Sequence, residues 1–81
     1  MKNFEKVIYS LNPKTTKRIL NNMYEIGILR ELGGDTKAFL KKLAHTSTGF
    51  EKKVYMFLGS VEQELLDAMS DAIIKKGEEH A

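Results

Sequence analysis

Apolar residues in this chain recur at intervals of three and four, the spacing of one helix face, and strand-like alternation is weak throughout. Phe4, Val7, Ile8 and Leu11 form the first such stripe. Asn12-Pro13 then reads as a stop and a restart. Asn12 can cap the next helix, and Pro13 suits its first position, where no backbone N–H is needed. The spacing predicts a first helix over about Phe4 to Leu11, with Asn3 as its cap. A second helix starts at Pro13 and carries Ile19, Leu20, Met23 and Ile26 on one side.

Gly27 leaves a choice. As a helix interior residue it lets helix two continue through Ile28, Leu29 and Leu32 to Gly33-Gly34. As a cap it turns Ile28 to Leu32 into a short strand. Leu29 and Leu32 stay close to the earlier stripe, and one interior glycine costs only about 1 kcal/mol, so the continued helix is preferred. Asp35 predicts the N-cap of helix three, about Thr36 to Ala44, with Phe39, Leu40 and Leu43 on its apolar side. His45-Thr46-Ser47 reads as a loop. Thr48 to Glu51 matches a capping box, and Ser60 to Gln63 matches another. They predict helix four, with Phe50, Val54, Phe57, Leu58 and Val61, and helix five, with Leu65, Leu66, Met69, Ala72 and Ile73, ended by Gly77. One long kinked helix from Thr48 to Lys76 is the alternative. The fold class is therefore all-α, a compact bundle of four or five short helices forming a single domain over residues 1–77, with a frayed tail over 78–81.

At 81 residues the chain is near the lower limit for a self-sufficient core, and it has no cysteine to staple one. Small domains then often gain stability by association, so a homo-oligomer or a bound partner is expected. No apolar run approaches the ~20 residues of a membrane span, and the N-terminus lacks the apolar core of a signal peptide. A cytoplasmic setting is expected. Charge is uneven: residues 1–44 hold nine Lys/Arg against four Asp/Glu, and residues 45–81 hold four Lys against seven Asp/Glu. The basic half can meet an anionic partner, or the halves of two copies can meet each other.

No catalytic or metal site emerges. The two histidines, His45 and His80, have no ligand at i+3 or i+4. The glycines form no phosphate loop, and Glu64, Asp67 and Asp71 lie along a helix rather than on a calcium-binding turn. The expectation is a non-enzyme without cofactor. The four phenylalanines fall on apolar stripes and read as core; Tyr24 or Tyr55 is free to anchor an interface. Lys14, Lys17 and Arg18 crowd the start of helix two, where the helix dipole is already positive. With Asn21 and Tyr24 they make the candidate partner-binding site. Charge reversal at Lys17 and Arg18 is expected to weaken capture of the partner. A surplus apolar face including Met69 and Ile73 is the competing place for self-association.

Two resemblances refine the functional reading. The stretch from Asn12 to Arg30, with Thr15, Thr16 and basic residues running into Ile26-Gly27-Ile28, looks like the recognition-helix region of winged helix-turn-helix regulators. That likeness implies that Lys14, Thr15, Lys17, Arg18 and Asn21 approach nucleic acid and that Gly33-Gly34 lies in a wing. The first helix expected of such a motif is missing. The length and the opening from Asn3 to Lys14 resemble the small cytoplasmic antiholins of T-even phages, the RIII family. This resemblance implies a soluble regulator that inhibits lysis by contacting the cytoplasmic part of the holin, and it transfers no site residues. A protein-binding regulator or inhibitor, with a soluble segment of a membrane protein among its candidate partners, is thus the leading expectation, with nucleic-acid binding through helix 13–26 as the alternative.

Overall fold

The computed structural model describes residues 3–79 and contains five helices: α1 (Phe4–Tyr9), α2 (Pro13–Glu31), α3 (Thr36–Thr46), α4 (Gly49–Ser60) and α5 (Gln63–Glu79). The all-α architecture is the one the periodicity demands, and among the described residues there is no strand. The radius of gyration is 11.6 Å, close to the ~12 Å of a single packed domain of this length.

Two antiparallel pairs organise the bundle. In the first, Arg30 at the end of α2 reaches Asp71 at the middle of α5 and Asp67 one turn nearer its start, at 2.9 and 3.5 Å. Leu20, nearer the start of α2, lies against Gly77 at the far end of α5. In the second pair, Lys37 at the start of α3 donates through Nζ to the carbonyls of Gly59 and Val61 at the end of α4. Those carbonyls have no partner within their own helix, and a cation there also complements the helix dipole. Short α1 lies across both pairs. Its Tyr9 hydroxyl donates to the Ile73 carbonyl of α5 at 2.7 Å, and its Phe4 ring lies 5.4 Å from Phe57 of α4. The core between these layers is Ile8, Ile19, Met23, Ile26, Leu40, Val54, Tyr55, Leu58, Leu66, Met69 and Ile73, with Ala44 at its edge.

Several helix ends follow the sequence reading. Asn12 accepts from the Lys14 amide at 2.9 Å with Pro13 at the first helical position, and Asp35 accepts from the Ala38 amide at 2.9 Å. Gly27 lies inside α2, so the continued helix holds and no strand forms after it. That helix closes in a Schellman turn: the Gly34 amide reaches the Leu29 carbonyl at 2.7 Å and the Gly33 amide reaches Arg30 at 3.1 Å. Gly33 has φ +73°, a conformation that side chains with a Cβ resist.

Other ends differ. Asn3 precedes α1 but its side chain makes no capping bond, and α1 stops at Tyr9. There the buried Thr16 hydroxyl donates to the Ile8 carbonyl at 2.7 Å and ties the end of α1 to α2. His45 and Thr46 belong to α3 rather than to a loop, the Thr46 hydroxyl bonding back to the Lys42 carbonyl at 3.2 Å. Neither capping box forms. Gly49 has φ +61°, which takes the first residue of α4 out of helical geometry, and Thr48 makes no side-chain cap. Ser60 ends α4 instead of capping α5. Two helices separated at Val61 replace the alternative of one kinked helix. Gly77 does not end α5, which runs on to Glu79; the expected fraying of residues 80 and 81 lies outside the described residues.

Candidate functional site

The buried side of α2 holds Thr16, Ile19, Met23 and Ile26. A turn of 100° per residue therefore directs Lys14, Lys17, Asn21, Tyr24, Glu25, Ile28, Glu31 and Leu32 to the opposite side, and all of them are exposed. Four of the five sequence-derived candidates, Lys14, Lys17, Asn21 and Tyr24, thus share one solvent face. The fifth, Arg18, turns toward α4. It bonds Glu51 through Nε at 3.1 Å and through Nη2 at 2.8 Å, with a further bond to the Thr15 hydroxyl at 3.1 Å.

Arg18 is one end of a polar chain that locks α2 to α4. Glu51 also accepts from the Tyr55 hydroxyl at 2.7 Å, which in turn accepts from Asn22 Nδ2 at 2.8 Å. Burial by itself would raise the Glu51 pKa, but the Arg18 and Tyr55 hydrogen bonds and the Arg18 charge outweigh it and hold the carboxyl below its ordinary value. Burial, then the neighbouring Glu51 carboxylate, pushes the Tyr55 hydroxyl well above the usual tyrosine range. Tyr55 is 1% exposed, so it is a core residue with a satisfied hydroxyl and not an interface anchor. Reversing the charge of Arg18 would break this chain of bonds, so Arg18 does not belong with Lys17 as a free contact cation.

A second surface lies between α1 and α4. Phe4 and Val7 on one side and Phe50, Lys53, Val54 and Phe57 on the other line a groove of about 340 Å³ whose walls are almost wholly apolar. Phe50 is 51% exposed and Val7 is 42% exposed, so Phe50 is not the core residue its stripe predicts. The cause is geometric: α1 has only six residues, too few to cover both Phe57 and the first turn of α4. Lys53 is the one charged group in the lining. Phe50 also borders a more polar recess with Leu11, Asn12, Thr15, Arg18, Thr48 and Glu51. The sequence carried a signal for this groove, since Phe4, Val7, Phe50 and Phe57 exceed what a helix as short as α1 can bury. The reading that every phenylalanine is core concealed it.

The other candidate surfaces are corrected. Met69 is 5% exposed and Ile73 is fully buried, so α5 presents no surplus apolar face there. Gly33 and Gly34 end α2 and lead at once to α3, and no strand occurs among the described residues, so the implied wing is missing. Among the described residues no group of three or more His, Asp or Glu is placed to hold a metal ion, and no helix is long and apolar enough to cross a membrane. No family model, curated protein or solved structure matches this chain.

Proposed function

We propose that this chain is a small non-enzymatic regulator that captures a helical segment of another protein in the groove between α1 and α4. In the reading that follows the antiholin resemblance, the partner is the soluble segment of a holin and the outcome is inhibition of lysis. The observation that carries the proposal is the half-exposed pair Phe50 and Val7 over a groove whose walls are almost wholly apolar. Short grooves of this kind take amphipathic helices, whose anchors repeat at i, i+3 and i+4. Lys53 in the lining favours a segment with a carboxylate beside its apolar anchors.

The test is titration of the isotope-labelled chain with the purified soluble segment of a T-even phage holin, followed by amide chemical shifts. Shifts confined to Phe4, Val7, Phe50, Lys53 and Phe57, and lost in Phe50→Asp, are the expected result. Absence of binding removes the holin as partner, and shifts elsewhere remove the groove. The nucleic-acid reading keeps one favourable observation, Lys14, Lys17 and Asn21 on adjoining turns of an exposed face. Against it stand Glu25 and Glu31 on the same face and the closure of Arg18 by Glu51. Anisotropy with mixed-sequence duplex DNA separates the two: binding that collapses with added salt supports nucleic acid, because counterion release drives it.

A further inference from the structure

Lys17, Tyr24 and Glu31 stand seven residues apart on α2 and so share one edge of its exposed face. Beside them Ile28 is 53% exposed and Leu32 is 78% exposed, and Tyr24 itself is 42% exposed. The charges along this face run from basic to acidic: Lys14 and Lys17 toward the N-terminus, Glu25 and Glu31 toward the C-terminus. A helix dipole favours the reverse order, so this arrangement is unfavourable for α2 alone. Among the described residues no ion pair offsets it at these four side chains. The ion pairs among the described residues involve Arg18 and Arg30 with Glu51, Asp67 and Asp71, and none of the four face charges.

The same order becomes favourable against a second α2 lying antiparallel. A two-fold axis at Tyr24 sets each Lys17 opposite Glu31 of the other copy, because both lie seven residues from Tyr24. The two Tyr24 rings meet at the axis, Ile28 gains apolar cover, and the two dipoles oppose each other. We infer that the exposed face of α2 docks a second copy of this chain, antiparallel, with its register set by reciprocal Lys17–Glu31 pairs. The 19 residues of α2 give a contact only about 28 Å long and about 10 Å wide, on the order of 300 Å² per copy against the ~800 Å² per partner of a stable complex, so the dimer is weak and reversible. It is independent of the α1–α4 groove, and neither stands or falls with the other.

Sedimentation equilibrium tests it, with loadings from roughly 10 µM to 1 mM to reach a weak association. Wild type, Lys17→Glu, Glu31→Lys and an equimolar mixture of the two variants are compared, each first shown by thermal melting to be folded. Wild type is expected to rise toward twice the monomer mass. Each variant alone sets like charges opposite one another twice and associates at least about tenfold more weakly. The mixture regains wild-type association, since every 17–31 pair is then opposite in sign. A wild type that stays monomeric to the highest loading overturns the inference. So does association that neither charge reversal weakens, or a mixture no more associated than its components.

Discussion

Replacing Gly77 by alanine is expected to destabilise the domain, although helix propensity alone argues the opposite. Gly77 lies within α5 at ordinary helical φ, where alanine is the better helix former by about 1 kcal/mol. A Cβ at this position would lie 2.6 Å from the Tyr9 hydroxyl oxygen, and 3.0 and 3.1 Å from the two Leu20 methyl carbons. Leu20 can yield by a few tenths of an ångström. Tyr9 cannot do so without cost, because its hydroxyl is held by the Ile73 carbonyl at 2.7 Å. Overpacking of this kind costs roughly 1–3 kcal/mol, and loss of the hydrogen bond about 1 kcal/mol more. After the propensity gain is subtracted, the expected net loss is about 1–3 kcal/mol, which for a domain of this size lowers Tm by roughly 5–20 °C.

Urea unfolding followed by circular dichroism measures this, with two controls that isolate the cause. Gly27 is also inside a helix, but an added Cβ there meets nothing within 4 Å. Gly27→Ala is therefore expected to stabilise by roughly 0.5–1 kcal/mol. Tyr9→Phe removes the oxygen nearest the new methyl, so Gly77→Ala should cost less in that background, with a coupling of about 1 kcal/mol. If Gly77→Ala is as stable as wild type, or if the two substitutions are additive, the close approach of α5 to α1 is not what selects glycine.

Two further outcomes follow from buried polar groups. Ser70 is fully buried and its hydroxyl has no hydrogen-bond partner among the described residues, so Ser70→Ala should raise stability by about 1 kcal/mol in the same unfolding assay; a loss of stability would show the hydroxyl to be satisfied. The Glu51 carboxyl titrates below its ordinary value of 4.5 in the folded chain, so its contribution is present in full above that pH and lost as pH falls through the folded value. The stability gap between wild type and Glu51→Gln should accordingly be wide at pH 7 and narrow near pH 3, and a gap that does not change with pH refutes the assignment.

The helices were legible because their signals are local. The Ile19, Met23 and Ile26 stripe of α2, the Asn12-Pro13 start and the Asp35 cap depend on nearby residues and form as read, whereas Leu32, read as close to that stripe, is 78% exposed on the opposite face. The two capping boxes failed for a complementary reason. Glu51 matched the local motif, but Arg18 and Tyr55 bring it stronger partners from a distance and from the next turn. Gln63 likewise bonds the buried Thr36 across the bundle at 2.9 Å. A carboxylate or amide with a choice between a local backbone donor and a converging side-chain network goes to the network, where several bonds form together. Gly77 follows the same logic: its local reading was a helix stop, and its structural reason is Tyr9, far away in the sequence.

The candidate site divides along that line as well. Lys14, Lys17, Asn21 and Tyr24 could be placed on one face from helical spacing alone, and they are there. Arg18 could not be separated from them, because one position of rotation sets it toward α4, and only the fold reveals Glu51 waiting there. Removing Arg18 from the basic cluster changes what the remaining face means. With Arg18 included, the start of α2 reads as a patch for a polyanion. Without it, two lysines are followed by a tyrosine, two exposed aliphatic side chains and two glutamates on one helix face. A polyanion would meet repulsion halfway along such a face, whereas an antiparallel copy of the same helix meets attraction at both ends. The internal pairing of a single arginine therefore shifts the weight of the α2 surface from nucleic acid toward the self-recognition we infer.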